Sequence, residues 1–148
     1  MKSGLPKEVV FLTQTDTTVG FVSQNADELT RIKRRSQHKH YIKAVCSLQT
    51  LKEFTRIPNM HKKRVRRSDR ITFILPDGHS YRIIRDPRHR LLLDRLKWVY
   101  TTSANLSEHT YDETFAKEAA DIIITPLCGQ KSPSQIIKLG KKRSRRVR

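Results

Sequence analysis

Short apolar runs broken by small polar residues recur along the 148 residues, and no long periodic stretch occurs. Residues 8–12 (Glu-Val-Val-Phe-Leu) are rich in β-branched side chains and end at hydroxyl residues, which predicts a buried strand. From Asn25 the period becomes helical. Ala26, Leu29 and Ile32 share one face, Asn25 is placed to cap, and Glu28 follows three residues on. This helix is expected to run into Lys33-Arg34-Arg35. Tyr41, Ala44 to Cys46 and Leu48 suggest a second strand, followed by a short helix anchored by Leu51 and Phe54 and capped by Ser47 or Thr50. Residues 56–70 read as the least structured stretch. Residues 71–75 and 81–85 flank Pro76-Asp77-Gly78-His79, a strong hairpin signal. A helix over 88–97, a strand from Trp98, a helix over 110–120 and short strands at 122–124 and 135–139 complete the pattern.

These elements predict one mixed α/β domain over residues 1–140. There is no internal repeat and no linker long enough to divide the chain. Residues 141–148 are almost wholly basic and are read as a disordered tail. No run approaches the roughly 20 apolar residues of a membrane span. Met1 to Pro6 lacks an apolar signal core, so a cytoplasmic protein is expected. Cys46 and Cys128 lack metal or redox spacing, and Cys46 is expected in the core.

Charge changes the picture more than composition does. Lys and Arg outnumber Asp and Glu by 31 to 14, a formal net charge of +17. Such a field attracts polyanions and favours a nucleotide or nucleic-acid partner without choosing between them. The histidines offer no metal set: His38 and His40 stand in a basic run without acidic or thiol neighbours. His89 is expected at a helix start. No glycine-rich phosphate loop or nucleophile elbow is present. With aromatics at 7% and no stacking platform in view, any RNA binding is expected to be independent of sequence.

Three polar motifs sit at the edges of apolar runs. Thr15-Asp16-Thr17, with Gly20 behind it, could bind a polar substrate or could simply cap its own turn. Lys33-x-Arg35, with Lys39 soon after, could hold phosphate or could satisfy the C-terminal charge preference of a helix. Ser103-Ala104-Asn105 could present amides and side chains to an anion, or Asn105 and Ser107 could start the next helix.

Taken together, these motifs resemble the YrdC-like family of threonylcarbamoyl-AMP synthases. That family's Pro-Thr-Asp-Thr-Val-Tyr-Gly-Leu run is similar to Gln14-Thr15-Asp16-Thr17-Thr18-Val19-Gly20-Phe21. Its Lys-x-Arg motif and following Lys resemble Lys33, Arg35 and Lys39. Its strand-Arg-Pro segment resembles Ile83 to His89, and its Ser-Ala-Asn-Leu-Ser signature stands as Ser103 to Ser107. Its late Pro-Ser resembles Pro133-Ser134. The likeness spans roughly residues 8 to 139 in the family's order.

The resemblance implies a twisted mixed sheet with a basic concave face, and a nucleotidyltransferase that makes threonylcarbamoyl-AMP and pyrophosphate from threonine, bicarbonate and ATP. It implies Mg2+ with the ATP, and a product that serves tRNA modification, with other tRNA-modification proteins as possible partners. Lys33 and Arg35 would be catalytic. Lys33, Arg35, Lys39, Ser103, Asn105 and Ser134 would bind the nucleotide, and Thr15, Thr17, Arg35 and Arg85 the threonine. Gln14, Val19, His40, Glu108 and Ser68-Asp69-Arg70 depart from the family pattern. The alternative is a non-catalytic relative that binds double-stranded RNA or ribosomes through its basic face and tail.

Overall fold

The computed structural model describes residues 8–36, 40–106, 109–128 and 132–148. Among these, nine strands form one twisted sheet. They are β1 (Phe11–Gln14), β2 (Val19–Ser23), β3 (Ile42–Val45), β4 (Ile71–Ile74), β5 (Ser80–Ile83), β6 (Trp98–Ser103), β7 (Ile122–Ile123), β8 (Gln135–Leu139) and β9 (Ser144–Arg146). Their order across the sheet is β7-β1-β2-β6-β3-β5-β4-β8-β9. β7 with β1, β3 with β5 and β4 with β8 run parallel, and the other neighbours antiparallel. The expected mixed α/β domain is therefore present.

Five helices cover the sheet: α1 (Ala26–Lys33), α2 (Leu48–Lys52), α3 (Lys62–Arg67), α4 (Pro87–Leu96) and α5 (Glu113–Ala119). Local chemistry sets several boundaries. Asn25 Oδ1 accepts from the backbone N–H groups of Asp27 and Glu28, as its position before the apolar face requires. Ser47, not Thr50, caps α2. Gly78, at φ 86°, closes the β4–β5 hairpin with its N–H 2.8 Å from Leu75 O.

Period-2 alternation sorts the strand residues onto two faces. Leu12, Phe21, Val45, Tyr81, Ile83, Phe73 and Ile137 lie on the face covered by α1, α2, α3 and α5. Phe11, Val22, Ala44, Ile84 and Val99 lie on the other, beneath Leu92, Leu93 and Leu96 of α4. Cys46 joins this second cluster, as expected of a core thiol. Beyond the reach of α4 the same face turns polar. Thr101 stands opposite Ile42 and Val22, and Thr72, Arg82 and Thr101 are all buried. Buried polar groups at inward strand positions need partners, so this is where a site is expected.

Two sequence expectations are corrected. Residues 56–70 are not irregular: a 3-10 turn (Asn59–His61) leads into α3, which buries Val65 and exposes its cations. The tail is not wholly disordered, because β9 pairs with β8. Val19–Ser23, to which the sequence pattern assigned no element, is a fully buried strand. No helix among the described residues is long and apolar enough to cross a membrane.

Candidate active site

The turn between β1 and β2 carries the first motif. Thr15 Oγ1 donates to Thr18 O at 2.6 Å and accepts from the N–H groups of Thr17 and Thr18 at 3.2 and 3.1 Å. Thr15 thus closes its own turn, and Thr15 and Thr17 also face a cavity. The turn-capping reading of this motif therefore holds. Gly20 makes the arrangement possible: a Cβ there would lie 2.9 Å from both Thr15 Cγ2 and Thr102 O.

The cavity, about 300 Å³, collects residues from distant parts of the chain. Thr15, Thr17 and Thr18 come from the first turn, and Arg35 and Tyr41 from the segment after α1. Thr101 to Ser103 come from β6, Arg82 from β5, and Ser134 and Arg148 from the C-terminal hairpin. Five of the expected site residues (Thr15, Thr17, Arg35, Ser103 and Ser134) therefore converge.

Lys33 and Arg35 have separate tasks. Arg34 caps α1 in the left-handed region at φ 51°, so the chain turns between them. Lys33, 3% exposed, stays on the buried side of the helix. Its ammonium donates to Ser103 O at 2.8 Å and to Asn105 Oδ1 at 3.4 Å. It braces the β6 terminus and does not line the cavity. Arg35 lies past the cap with its guanidinium 4.6 Å from the centre of the Tyr41 ring, where it also donates to His40 O. Tyr41 is itself held by Thr30 at 2.9 Å.

Asn105 does not start a helix; Asp112 caps α5. Asn105 instead accepts from Ser103 Oγ and donates to the carbonyls of Leu106 and His109, which fixes the loop after β6. Lys39 and Ser107 lie outside the described residues. Arg85 points elsewhere. It lines a wider cavity of about 820 Å³ with Asp16, Arg67, Asp69, Arg70, Asp86 and Pro87, and it donates to Arg66 O.

Arg82 is the site residue that the motifs missed. Its Nη1 lies 3.4 Å from Thr72 Oγ1 and 3.3 Å from Ser134 Oγ, and its Nη2 pairs with Asp16. The pair joins the two cavities, since Asp16 lines the wider and Arg82 the narrower. Burial raises the Asp16 carboxyl above its ordinary 3.8 even though Arg82 pulls it down. A signal was present: a lone arginine in the run Tyr81-Arg82-Ile83-Ile84 demands a buried partner. Arg148 was missed as well, and donates to Ser134 O at 3.0 Å.

Among the described residues no group of three or more His, Cys, Asp or Glu side chains could hold a metal ion. On the opposite face, Phe54, Trp98 and Tyr100 gather around Lys43, whose ammonium lies 3.9–5.3 Å from the ring centres. These rings meet edge-on and form a cluster with the Lys43 cation seated on it.

With this geometry, the chain belongs to the Sua5/YciO/YrdC family, described as "Telomere recombination", whose pattern matches residues 5–148. It is 28% identical over 153 residues to an uncharacterized protein, the MG259 homolog of Mycoplasma pneumoniae. That match covers 96% of this chain but only 33% of the relative, so the chain spans about a third of its length. The fold is similar to that of P. abyssi Sua5 complexed with L-threonine, with TM-score 0.78, 17% identity, and coverage of 95% of this chain and 50% of that one. It is also similar to full-length HypF in a phosphate- and nucleotide-bound form, with TM-score 0.75, 15% identity, and coverage of 95% and 27%.

Proposed function

We propose that the chain is an L-threonylcarbamoyladenylate synthase whose product serves tRNA threonylcarbamoyladenosine modification. One observation carries the reading: Thr15, Thr17, Arg35, Ser103 and Ser134, from four separate segments, line a single cavity. The likeness to a Sua5 that binds threonine and to a nucleotide-bound HypF supports it. In the reaction the threonine amine takes up bicarbonate with loss of water, giving a carbamate. A carbamate oxygen then attacks the α-phosphorus of ATP, and pyrophosphate leaves.

The chain contributes position and charge, which dominate phosphoryl-type transfers. Arg35, with its planar fork held over Tyr41, is suited to a carboxylate or phosphate. Thr17 offers a hydroxyl to the same cavity, where Arg82 also holds Ser134. A cavity of about 300 Å³ is at the low end for small-molecule sites and suits an amino acid. The wider cavity, which meets it at the Asp16–Arg82 pair, sets Arg67, Arg70 and Arg85 beside Asp16, Asp69 and Asp86, and so adds room without a net positive charge. Lys33 supports the nucleotide by fixing the Ser103–Asn105 segment. Mg2+ would enter with ATP as part of the substrate.

The test is incubation of the protein with radiolabelled bicarbonate, threonine, ATP and magnesium, read as threonine-dependent threonylcarbamoyl-AMP and pyrophosphate. Arg35→Met should abolish product. A folded protein that binds tRNA but makes no product would instead be the non-catalytic RNA-binding relative.

A further inference from the structure

A separate cavity of about 280 Å³ opens beside the aromatic cluster, and a charge of each sign lines it. It lies between two apolar clusters: Phe54 and Trp98 pack on one, Tyr41 and Tyr100 on the other. Half-buried Lys43, on β3, rests its ammonium against Phe54, Trp98 and Tyr100, with the nearest ring centre 3.9 Å away. Among the described residues it has no hydrogen-bond acceptor and no ion-pair partner. Asp77, in the β4–β5 turn, is fixed from its own side. Its Oδ1 accepts from the N–H of His79 and its Oδ2 from the Tyr81 hydroxyl, both at 2.8 Å. Its charge is felt at Lys43, although the two groups are not within ion-pair distance. We propose that this cavity binds a free amino acid as its zwitterion, with the carboxylate at Lys43, the ammonium at Asp77 and an apolar side chain against Phe54 and Tyr100.

The chemistry of the two walls selects the ligand. Ring faces attract the Lys43 cation but do not accept its N–H donors on the cavity side, whereas a carboxylate does. Asp77 keeps acceptor capacity after its two bonds, because a carboxylate offers about four lone-pair sites. A ligand of one sign would meet a like charge: a phosphate would face Asp77, and a quaternary ammonium would find the rings already holding Lys43. A dipolar ligand meets neither. The volume lies at the small end of ligand cavities and suits a single amino acid. If the lysine stem merely covered apolar surface, its head would turn to water. Here the head stays on three rings, and a carboxylate faces the same space. The site is separate from the one in the proposed function and does not rest on it, although Tyr41 lines both cavities.

Trp98 is the chain's one tryptophan and stands 5.2 Å from the Tyr100 ring, so its fluorescence reports on this cavity. The experiment titrates the full chain with L-phenylalanine and L-leucine, and with 3-phenylpropionate and phenethylamine, which lack the ammonium and the carboxylate respectively. Both amino acids should give a saturable change, and each analogue should bind more weakly by about tenfold or more, the effect of one lost charged hydrogen bond. Lys43→Met, which keeps the apolar stem, and Asp77→Asn should each weaken L-phenylalanine by a similar factor, with folding checked by thermal melting. Arg35→Met, in the other cavity, should leave it unchanged. Absence of saturable binding by either amino acid would overturn the proposal. So would wild-type affinity in Lys43→Met, analogues that bind as well as L-phenylalanine, or a loss on Arg35→Met alone. The analogue comparison needs no variant, so it decides the matter even where Asp77→Asn does not fold. Threonine-dependent pyrophosphate release is assayed on the same wild-type preparation. Its absence would count against the synthase reading and leave the L-phenylalanine result standing.

Discussion

Arg82 Nη2 lies 3.2 Å from Asp16 Oδ1, with both side chains at or below 5% exposure. The pair ties the β1–β2 turn, where the threonine hydroxyls sit, to the centre of the sheet. Two charges removed from water are held mainly by each other here, so each depends on its partner.

Arg82→Met should therefore destabilise the domain by about 3–5 kcal/mol, the usual effect of leaving a buried charge unpaired. Asp16→Asn in the same background should recover part of that loss, and chemical denaturation of the single and double variants would measure it. A destabilisation below about 1 kcal/mol for Arg82→Met would mean that the pair is not sealed from water.

Asp16 also sets a pH dependence. Its folded carboxyl titrates above the ordinary 3.8, so the folded state binds the proton more tightly. Its contribution to stability is present below 3.8 and lost as pH rises from there through the folded value. In Arg82→Met this loss should extend to higher pH, visible as a steeper decline of unfolding free energy on the mildly acidic side.

His89 acts with the opposite sign. It is 1% exposed in the first turn of α4, and burial, assisted by Arg82, pushes its imidazole down to about 3. The neutral ring stabilises the fold fully above pH 6.5, and this is lost as pH falls from 6.5 toward 3, with a slope of up to about 1.4 kcal/mol per pH unit. His89→Leu should flatten the acid limb of the stability profile; an unchanged limb would show that the ring is solvated.

Lys33→Met should do two things at once. It leaves Ser103 O without the ammonium that it accepts from, at a cost of about 1–3 kcal/mol. It also frees the segment that presents Ser103 to the cavity, so the KM for ATP should rise while the protein remains folded. Thermal unfolding and steady-state kinetics on one preparation separate the two effects.

Gly20→Ala tests whether the threonine turn needs close approach. Thr102 O is backbone and cannot move independently, so the added methyl must displace β2 from β6 or push Thr15 aside. Loss of stability together with weakened threonine binding is expected, measured by calorimetry and isothermal titration. Wild-type binding would show that the turn adapts.

Elements governed by local chemistry were legible in the chain. Asn25 and Ser47 cap helices because a short side-chain acceptor before an apolar stripe satisfies orphan N–H groups wherever the stripe finally packs. Asp77-Gly78 turns a hairpin because glycine tolerates the backbone that the turn requires. Elements governed by distant partners were not. β2 is buried on both faces and shows no alternation, so the pattern of apolar and polar positions gives it no signature. α3 offers only Val65 to the core amid cations, and β9 exists because β8 offers it an edge.

The order and identity of the polar motifs, and through them the family, were thus determined by the sequence alone, as was the excess of positive charge. Their division of labour was decided by tertiary structure. Arg34 turns left-handed between Lys33 and Arg35, which sends one cation into the protein to brace β6 and leaves the other at the cavity. Arg82 gained its place because an inward strand position on a face uncovered by α4 needs a partner, and the turn carrying Asp16 supplies it. Adjacency in a chain fixes which backbone groups need capping; only the packed sheet decides which charges share a space with too little water to screen them.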